Sequence, residues 1–319
     1  MSSQGTVLAG IDGSAASSYA LEWAIQEAKR LEWDIHVACA YTLPSFAASS
    51  MDGGYASLDS EAVRGGALGV LDAAADTVRS HGLDVTASLE MGDAAGVLTE
   101  LSKDAGLAVV GTRGRGGFAE RLLGTVSSAL PAHGHCPTVI VPLGKGGRRR
   151  DANRPIGPLE RIVVGVDGSP SSQIALGRAV DEALLWDATL TAFSSLPVTT
   201  GTTVHAWAPA VVDHDAILED LETSLNTLVD RLLAERDMPQ GFRVRRHGLD
   251  GAPASLLVEF STAVDLVVVG SRGRGGFSGL LLGSTSQAVL HHAVCPVMVV
   301  PARCKNEGLP PTAVAGGMD

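Results

Sequence analysis

The sequence predicts an α/β protein of two tandem domains, each an open five-stranded parallel sheet with helices on both faces. Three observations carry this reading. The chain has 319 residues, about twice a common domain length of about 150. Hydrophobic residues make up 45% and aromatics 4%, against 38 glycines. Cores must therefore be packed from Val, Leu, Ile and Ala, which suits sheets buried on both faces. Finally, the chain is written twice. The segment from Val7 to Ser14 returns as Val163 to Ser169, and Val109 to Phe118 returns as Val268 to Phe277. Asp12 maps onto Asp167, Gly111 onto Gly270, Gly124 onto Gly283 and Cys136 onto Cys295, a spacing that only tandem duplication explains.

Within each copy, β-branched runs alternate with helical stretches, the pattern of βαβ units. Strands are expected near 6–11, 35–41, 84–90, 107–111 and 136–141, with helices near 15–31, 58–80, 94–105 and 124–133. The second copy should place strands near 161–166, 189–194, 243–247, 265–269 and 295–300. Ser14 is the N-cap of the first helix, whose Ala20, Trp23, Ala24, Glu27 and Leu31 recur at three- and four-residue steps and form its core stripe. The domains then run over 1–142 and 161–301, joined by a linker at 143–160 rich in Gly, Pro and Arg and followed by a flexible tail at 302–319. Long stretches follow the second strand of each copy, Pro44 to Gly66 and Pro197 to Asp213, where a flap over a ligand crevice belongs. Asp213-His214-Asp215 reads as a loop charge cluster.

The formal charge is −11, which sets the molecule as a whole against phosphodiester backbones and anionic membranes. No nucleic-acid or membrane partner is expected. The four cysteines form no CxxC pair, and the start carries no basic, apolar leader, so a cytoplasmic protein with reduced thiols is expected.

In each copy the fourth strand ends in glycine, and a glycine-rich loop leads to a helix that opens with Gly124-Thr125 or Gly283-Ser284. Gly111 and Gly114, or Gly270 and Gly273, let backbone N–H groups approach an anion, and the helix start adds free N–H groups and a positive dipole end. The alternative is a tight βα turn with an N-cap, but a duplicated spacing at carboxyl strand ends favours a ligand site. Asp12 and Asp167, at the carboxyl end of each first strand, either bond a ribose or base, hold Mg²⁺ on phosphates, or cap the next helix. Arg113, Arg115, Arg272 and Arg274 either pair with phosphates or are solvated. No Walker A loop or dinucleotide fingerprint is present. His133, His135 and Cys136, like His291, His292 and Cys295, lack zinc spacing and are read as ending a helix and starting a buried strand. No metal site and no catalytic constellation is expected.

The pattern Gly-x2-Gly-x9-Gly-Ser/Thr, the leading Val-Gly-Ile/Val-Asp-Gly-Ser and the closing Cys-Pro-Val/Thr-x-Val/Ile-Val-Pro resemble the universal stress protein family in its tandem, ATP-binding form. The resemblance covers nearly the whole chain outside linker and tail, and implies flavodoxin-like (Rossmann-like) domains. It implies phosphates on Gly114, Gly124 and Thr125, ribose near Gly111, adenine near Asp12 and Ala40, and Val110 and Val126 lining the pocket. The second copy offers Asp167, Ser195, Val269, Gly270, Gly273, Gly283, Ser284 and Thr285. Ala40, Ser195 and Thr285 stand where the family commonly has valine. An ATP-binding regulatory or stress-response protein follows, ATP being bound with or without Mg²⁺. The partners expected are adenine nucleotide, an unidentified regulatory protein and a second copy of the chain, as a homodimer. The alternatives are a slow ATPase or phosphotransferase, or a nucleotide-independent scaffold. The last strands of the two copies, apolar on both faces, are expected to dock as an intramolecular pseudo-dimer.

Overall fold

The structure, a computed structural model, describes residues 5–43, 60–114, 123–143, 156–197, 214–274 and 282–304. The chain divides at Gly157–Pro158 into two compact units. The first contains β1 (Thr6–Gly10), α1 (Ala15–Leu31), β2 (Asp34–Tyr41), α2 (Ser60–Ser80), β3 (Val85–Met91), α3 (Ala94–Leu101), β4 (Leu107–Gly111), α4 (Thr125–His133) and β5 (Thr138–Val141). Its strands lie in the order β3-β2-β1-β4-β5, and all their pairings are parallel. The second unit contains β6 (Arg161–Gly165), α5 (Pro170–Trp186), β7 (Thr189–Leu196), α6 (His214–Ala234), β8 (Val244–Asp250), α7 (Pro253–Phe260), β9 (Leu266–Gly270), α8 (Ser284–His292) and β10 (Val297–Val300). Its order β8-β7-β6-β9-β10 is also parallel throughout. In each unit the order reverses beside the first strand, which opens a crevice at the carboxyl ends of the first and fourth strands.

The first helix forms as its stripe requires. Ser14 accepts the Ser17 N–H at its side chain, and Ala20, Trp23, Ala24, Glu27 and Leu31 are all buried. Central strands are sealed on both faces, β4 through Leu107, Ala108, Val109 and Val110, and β9 through Leu266 to Val269. That double burial is why these runs read as continuously apolar rather than alternating.

Local chemistry shifts several expected boundaries. The helix expected over 94–105 ends at Leu101, because Ser102 turns its hydroxyl onto the Thr99 carbonyl at 2.6 Å and accepts the His135 N–H at 2.9 Å. The last strands begin at Thr138 and Val297 rather than at the cysteines, since Pro137 and Pro296 have no N–H to donate and contribute only carbonyls, to Ala108 and Val267. Of the expected loop at 44–66, residues 60–66 belong to α2, and 44–59 lie outside the described residues, as do 198–213. The expected loop cluster at 213–215 is corrected likewise: His214 and Asp215 open α6, and His214 Nε2 lies 3.0 Å from Asp250 at the end of β8. The linker at 143–160 and the tail at 302–319 are described only over 143, 156–160 and 302–304.

The two units solve one packing problem differently at the amino ends of their strands. In the first, Trp33 is 7% exposed and fills the space between Gly5 and Gly106, where a Cβ at either glycine would strike the indole. The second unit has Glu160, Ala188 and Asp265 at the equivalent positions. There the Asp265 carboxylate takes the ring's place and accepts the N–H groups of Glu160 and Arg161 at 3.1 and 3.0 Å. Gly106→Asp, which copies the second unit into the first, should therefore cost about 1–3 kcal/mol by overpacking against Trp33, and much less on a Trp33→Ala background. Denaturant unfolding of the four chains checks this; equal costs in both backgrounds would contradict the exchange.

Candidate functional site

Each unit carries the sequence Asp-Gly-Ser at the carboxyl end of its first strand. Gly13 and Gly168 both adopt φ +76°, a left-handed turn that L side chains rarely enter. The turn brings the aspartate back over the next helix start, where Asp12 Oδ1 accepts the Ser14 N–H and Asp167 Oδ1 accepts the Ser169 N–H, each at 3.0 Å. The serines then do two jobs. Each caps its helix, accepting from Ser17 or Ser172; the Ser14 hydroxyl donates to the glycine loop at Arg113 O, 3.4 Å away, whereas the Ser169 hydroxyl donates to Asp167 Oδ1 at 2.6 Å. Of the roles open to the aspartates, helix capping falls instead to the serines, and each aspartate braces the capping serine by its N–H.

The aspartate also clasps the loop directly. Asp167 Oδ2 accepts the Arg274 N–H at 2.9 Å. Burial opposes ionisation of Asp167, but the hydrogen bonds from Ser169, Arg274 and Ser172 outweigh it and hold the carboxyl below its ordinary value. The glycines answer to this closeness. A Cβ at Gly114 would collide with Asp12 Oδ2, and one at Gly273 with Asp167 Oδ2. At Gly111 and Gly270 a Cβ would meet backbone atoms of Ala16 and Ser171, at 2.7 and 2.8 Å. These glycines are thus set by the approach of neighbouring segments as well as by any ligand.

The helix starts differ from the simple expectation. The Gly124 N–H is already bound to Thr112 O and to Ser127 Oγ, both at 2.9 Å, and the Gly283 N–H to Ser271 O at 2.8 Å. Their amides therefore hold the loop shut. The first-turn residues Thr125 and Val126, and Ser284 and Thr285, have N–H groups with no intrahelical acceptor, so an anion at the helix start would meet those instead.

In the second unit this geometry frames a cavity of about 630 Å³, within the usual range for small-molecule sites. All eight residues expected there, Asp167, Ser195, Val269, Gly270, Gly273, Gly283, Ser284 and Thr285, line it. Arg272 and Arg274 line it too, and the Arg274 guanidinium covers Gly168 so closely that no Cβ would fit beneath it. Sequence reading missed the apolar wall. Phe193 and Leu257 stand on one side, and Leu221, Leu225 and Leu228 on α6 supply another. Their four- and three-residue spacing was a helical stripe that could have placed them.

In the first unit the matching residues converge at the carboxyl ends of β1 and β4. Asp12 meets Gly114, Gly111 closes against α1, and Gly124 is tied to Thr112. Val110 is buried beside the Leu98 contact under Gly10, Val126 sits in the first turn of α4, and Ala40 lies on β2 opposite Glu90. Arg115 lies outside the described residues. Among the described residues no group of three or more His, Cys, Asp or Glu is placed to hold a metal. No helix there is long and apolar enough to cross a membrane.

Fold and site together define a tandem α/β protein with an Asp-Gly-Ser turn set beside a glycine loop at the carboxyl end of each sheet. The family model for universal stress proteins matches residues 5–142 and again 158–301, and the chain belongs to that family. It is 33% identical over 306 residues to a universal stress protein of Mycolicibacterium smegmatis, covering 93% of this chain and 97% of that one. A universal stress protein of Mycobacterium tuberculosis is 31% identical over 309 residues, covering 92% and 95% respectively. Among solved structures, a universal stress protein from Archaeoglobus fulgidus matches with TM-score 0.67 at 20% identity, covering 94% of this chain and 98% of that one, a likeness of fold.

The clasp has a definite pH dependence. Because the Asp167 carboxyl lies below its ordinary value, its contribution is present above about pH 4 and is lost as pH falls through the lowered value. Asp167→Asn should flatten that acid limb of the stability curve. Denaturant unfolding from pH 6 down to the acid limit measures it, and identical slopes for the two chains would contradict the clasp.

Proposed function

We propose that each unit binds an adenine nucleotide, ATP first among them, and that occupancy alters the conformation or partners of a stress-response protein. The observation that carries this is the cavity of the second unit, lined by every residue assigned there from the resemblance. It has the two ends a nucleotide needs. At one end stand Arg272, Arg274 and the start of α8, whose dipole and N–H groups favour phosphate. At the other stand Phe193, Leu225 and Leu257, which favour a flat apolar ring. The repeated Asp-Gly-Ser turn, with Asp12 as close to Gly114 as Asp167 is to Gly273, supports the same assignment in the first unit.

Family and geometry support the phosphate roles of Gly114, Gly273, Thr125, Ser284 and Thr285 more directly than those of Gly124 and Gly283, whose amides are engaged within the loop. Asp12 and Asp167 act on the loop, fixing its position beside the ligand; Mg²⁺ on the phosphates belongs to the same reading. So do a homodimer and a cytoplasmic setting, the former checked by light scattering of the intact chain.

Titration calorimetry should find two ATP molecules per chain. Gly273→Ala and Gly114→Ala should each remove one, because the new methyl drives the clasping carboxylate away from the loop. Stoichiometry near zero in the parent chain, or variants that bind as the parent does, would overturn the reading.

A further inference from the structure

We propose that β8 is a docking edge for an extended acidic peptide of a partner protein, which adds to the second unit as a further strand. β8 ends the order β8-β7-β6-β9-β10 and pairs, among the described residues, with β7 alone. Its ladder to β7 is regular from Val244 to Asp250, and a regular edge of that length presents free N–H and C=O groups to another chain. Pleating divides its side chains into two sets. Arg246 and Asp250 face α6, where they reach Asp230 at 2.7 Å and His214 at 3.0 Å, and a Cβ at Gly248 would strike the α6 backbone at Leu218. Arg245 and His247 fall on the opposite face, with Arg243 one residue before the strand, and all three are exposed. Residues 243–247 do not line the cavity, so this edge is separate from the nucleotide site and does not depend on that reading.

Charge complementarity selects the occupant. Among the described residues Arg243 and Arg245 have no ion-pair partner, unlike Arg246 between them and α6. Two cations two residues apart, about 7 Å along a strand, match acidic side chains at alternate positions of an incoming strand, where opposite charges attract across the pair. Cations at an edge also serve to prevent pairing, and the first unit tests that reading. Its edge strand β3 keeps the same register against β2, yet carries Asp84, Thr86 and Ser88 where the second unit has Arg243, Arg245 and His247. The fold thus stands without edge cations, and a basic face in a chain of charge −11 serves an anionic partner. A polynucleotide is disfavoured, since its charge meets the chain's own over its whole length and two arginines supply few of the phosphate contacts it needs. Another β8 edge is repelled by like charge. An acidic peptide strand satisfies the free main-chain groups and the arginines together.

The test uses the intact chain and a fluorescent peptide, Thr-Glu-Thr-Glu-Thr-Glu-Thr, as long as β8. Fluorescence anisotropy in about 0.1 M salt, where charges beyond about 10 Å are screened, should show saturable binding. Arg243→Glu with Arg245→Glu should weaken it about tenfold or more, because two attractive cross-strand pairs become repulsive. Arg79→Glu with Lys103→Glu, reversals of equal charge at exposed positions of the first unit, should change it less than about twofold. The peptide N-methylated at alternate residues should bind far more weakly, since it has lost the N–H groups that edge carbonyls accept. No binding by the parent chain, an equal loss in both double variants, or full binding of the N-methylated peptide overturns the proposal. So does an oligothymidylate of equal length that binds more tightly than the peptide, which assigns the face to nucleic acid. Self-association of the chain that the two β8-edge substitutions abolish also overturns it, by assigning the edge to a second copy.

Discussion

The carboxylate at the end of the first strand is the constraint on which the site depends. Asp167 accepts from Ser169 on one oxygen and from the Arg274 N–H on the other, so a single side chain joins β6, the start of α5 and the glycine loop after β9. The glycines of the loop have no side chains to bury, so packing at its ends, through Ser271 and Leu282, does not fix its middle. There it is held by the Arg274 N–H bonding a partly buried anion, a charge-assisted hydrogen bond stronger than a neutral one. The left-handed turn at Gly168 and the bare Cα of Gly273 follow from the need to bring that carboxylate within reach of backbone amides.

Duplication makes the rest of the structure a comparison of one solution with another. The Trp33 ring of the first unit and the Asp265 cap of the second occupy the same place by opposite chemistry, apolar volume in one and backbone hydrogen bonding in the other. On the first helix of each unit, Trp23 is matched by Arg178, a buried cation whose Nη2 lies 3.0 Å from Glu182 one turn on. A buried cation of this kind is stabilised by a counter-charge beside it. Glu182 and its equivalent Glu27 are both fully buried. The sheet order and the Asp-Gly-Ser turn are unchanged through all of this, since strand pairing draws on backbone groups that substitution leaves alone and the turn keeps the same three residues in both units.

Much of this was legible in the chain itself. Alternating β-branched runs and helical stripes, written twice, determine two parallel α/β units, because period and turn chemistry are local properties. The Asp-Gly-Ser turn, the N-cap at Ser14 and the doubly buried central strands follow from short segments and stand where the pattern puts them. Boundaries slipped where a long-range bond decided them, as at Ser102, whose hydroxyl is shared between its own helix and His135.

What tertiary structure alone decided is which groups are spent and which are left over. The amides of Gly124 and Gly283 look available in the sequence, but the loop folds back and consumes them. The Asp167 carboxylate reads as one more helix cap, yet its second oxygen reaches across 107 positions to the Arg274 amide. Ser194 and Ser195 are adjacent and identical in kind, and both line the cavity, yet only Ser194 finds a carbonyl, that of Val166. Local pattern determined the elements because it acts through neighbours in the chain; the hydrogen-bond accounts of the site depend on groups far apart in sequence, and those close only when the sheet has formed.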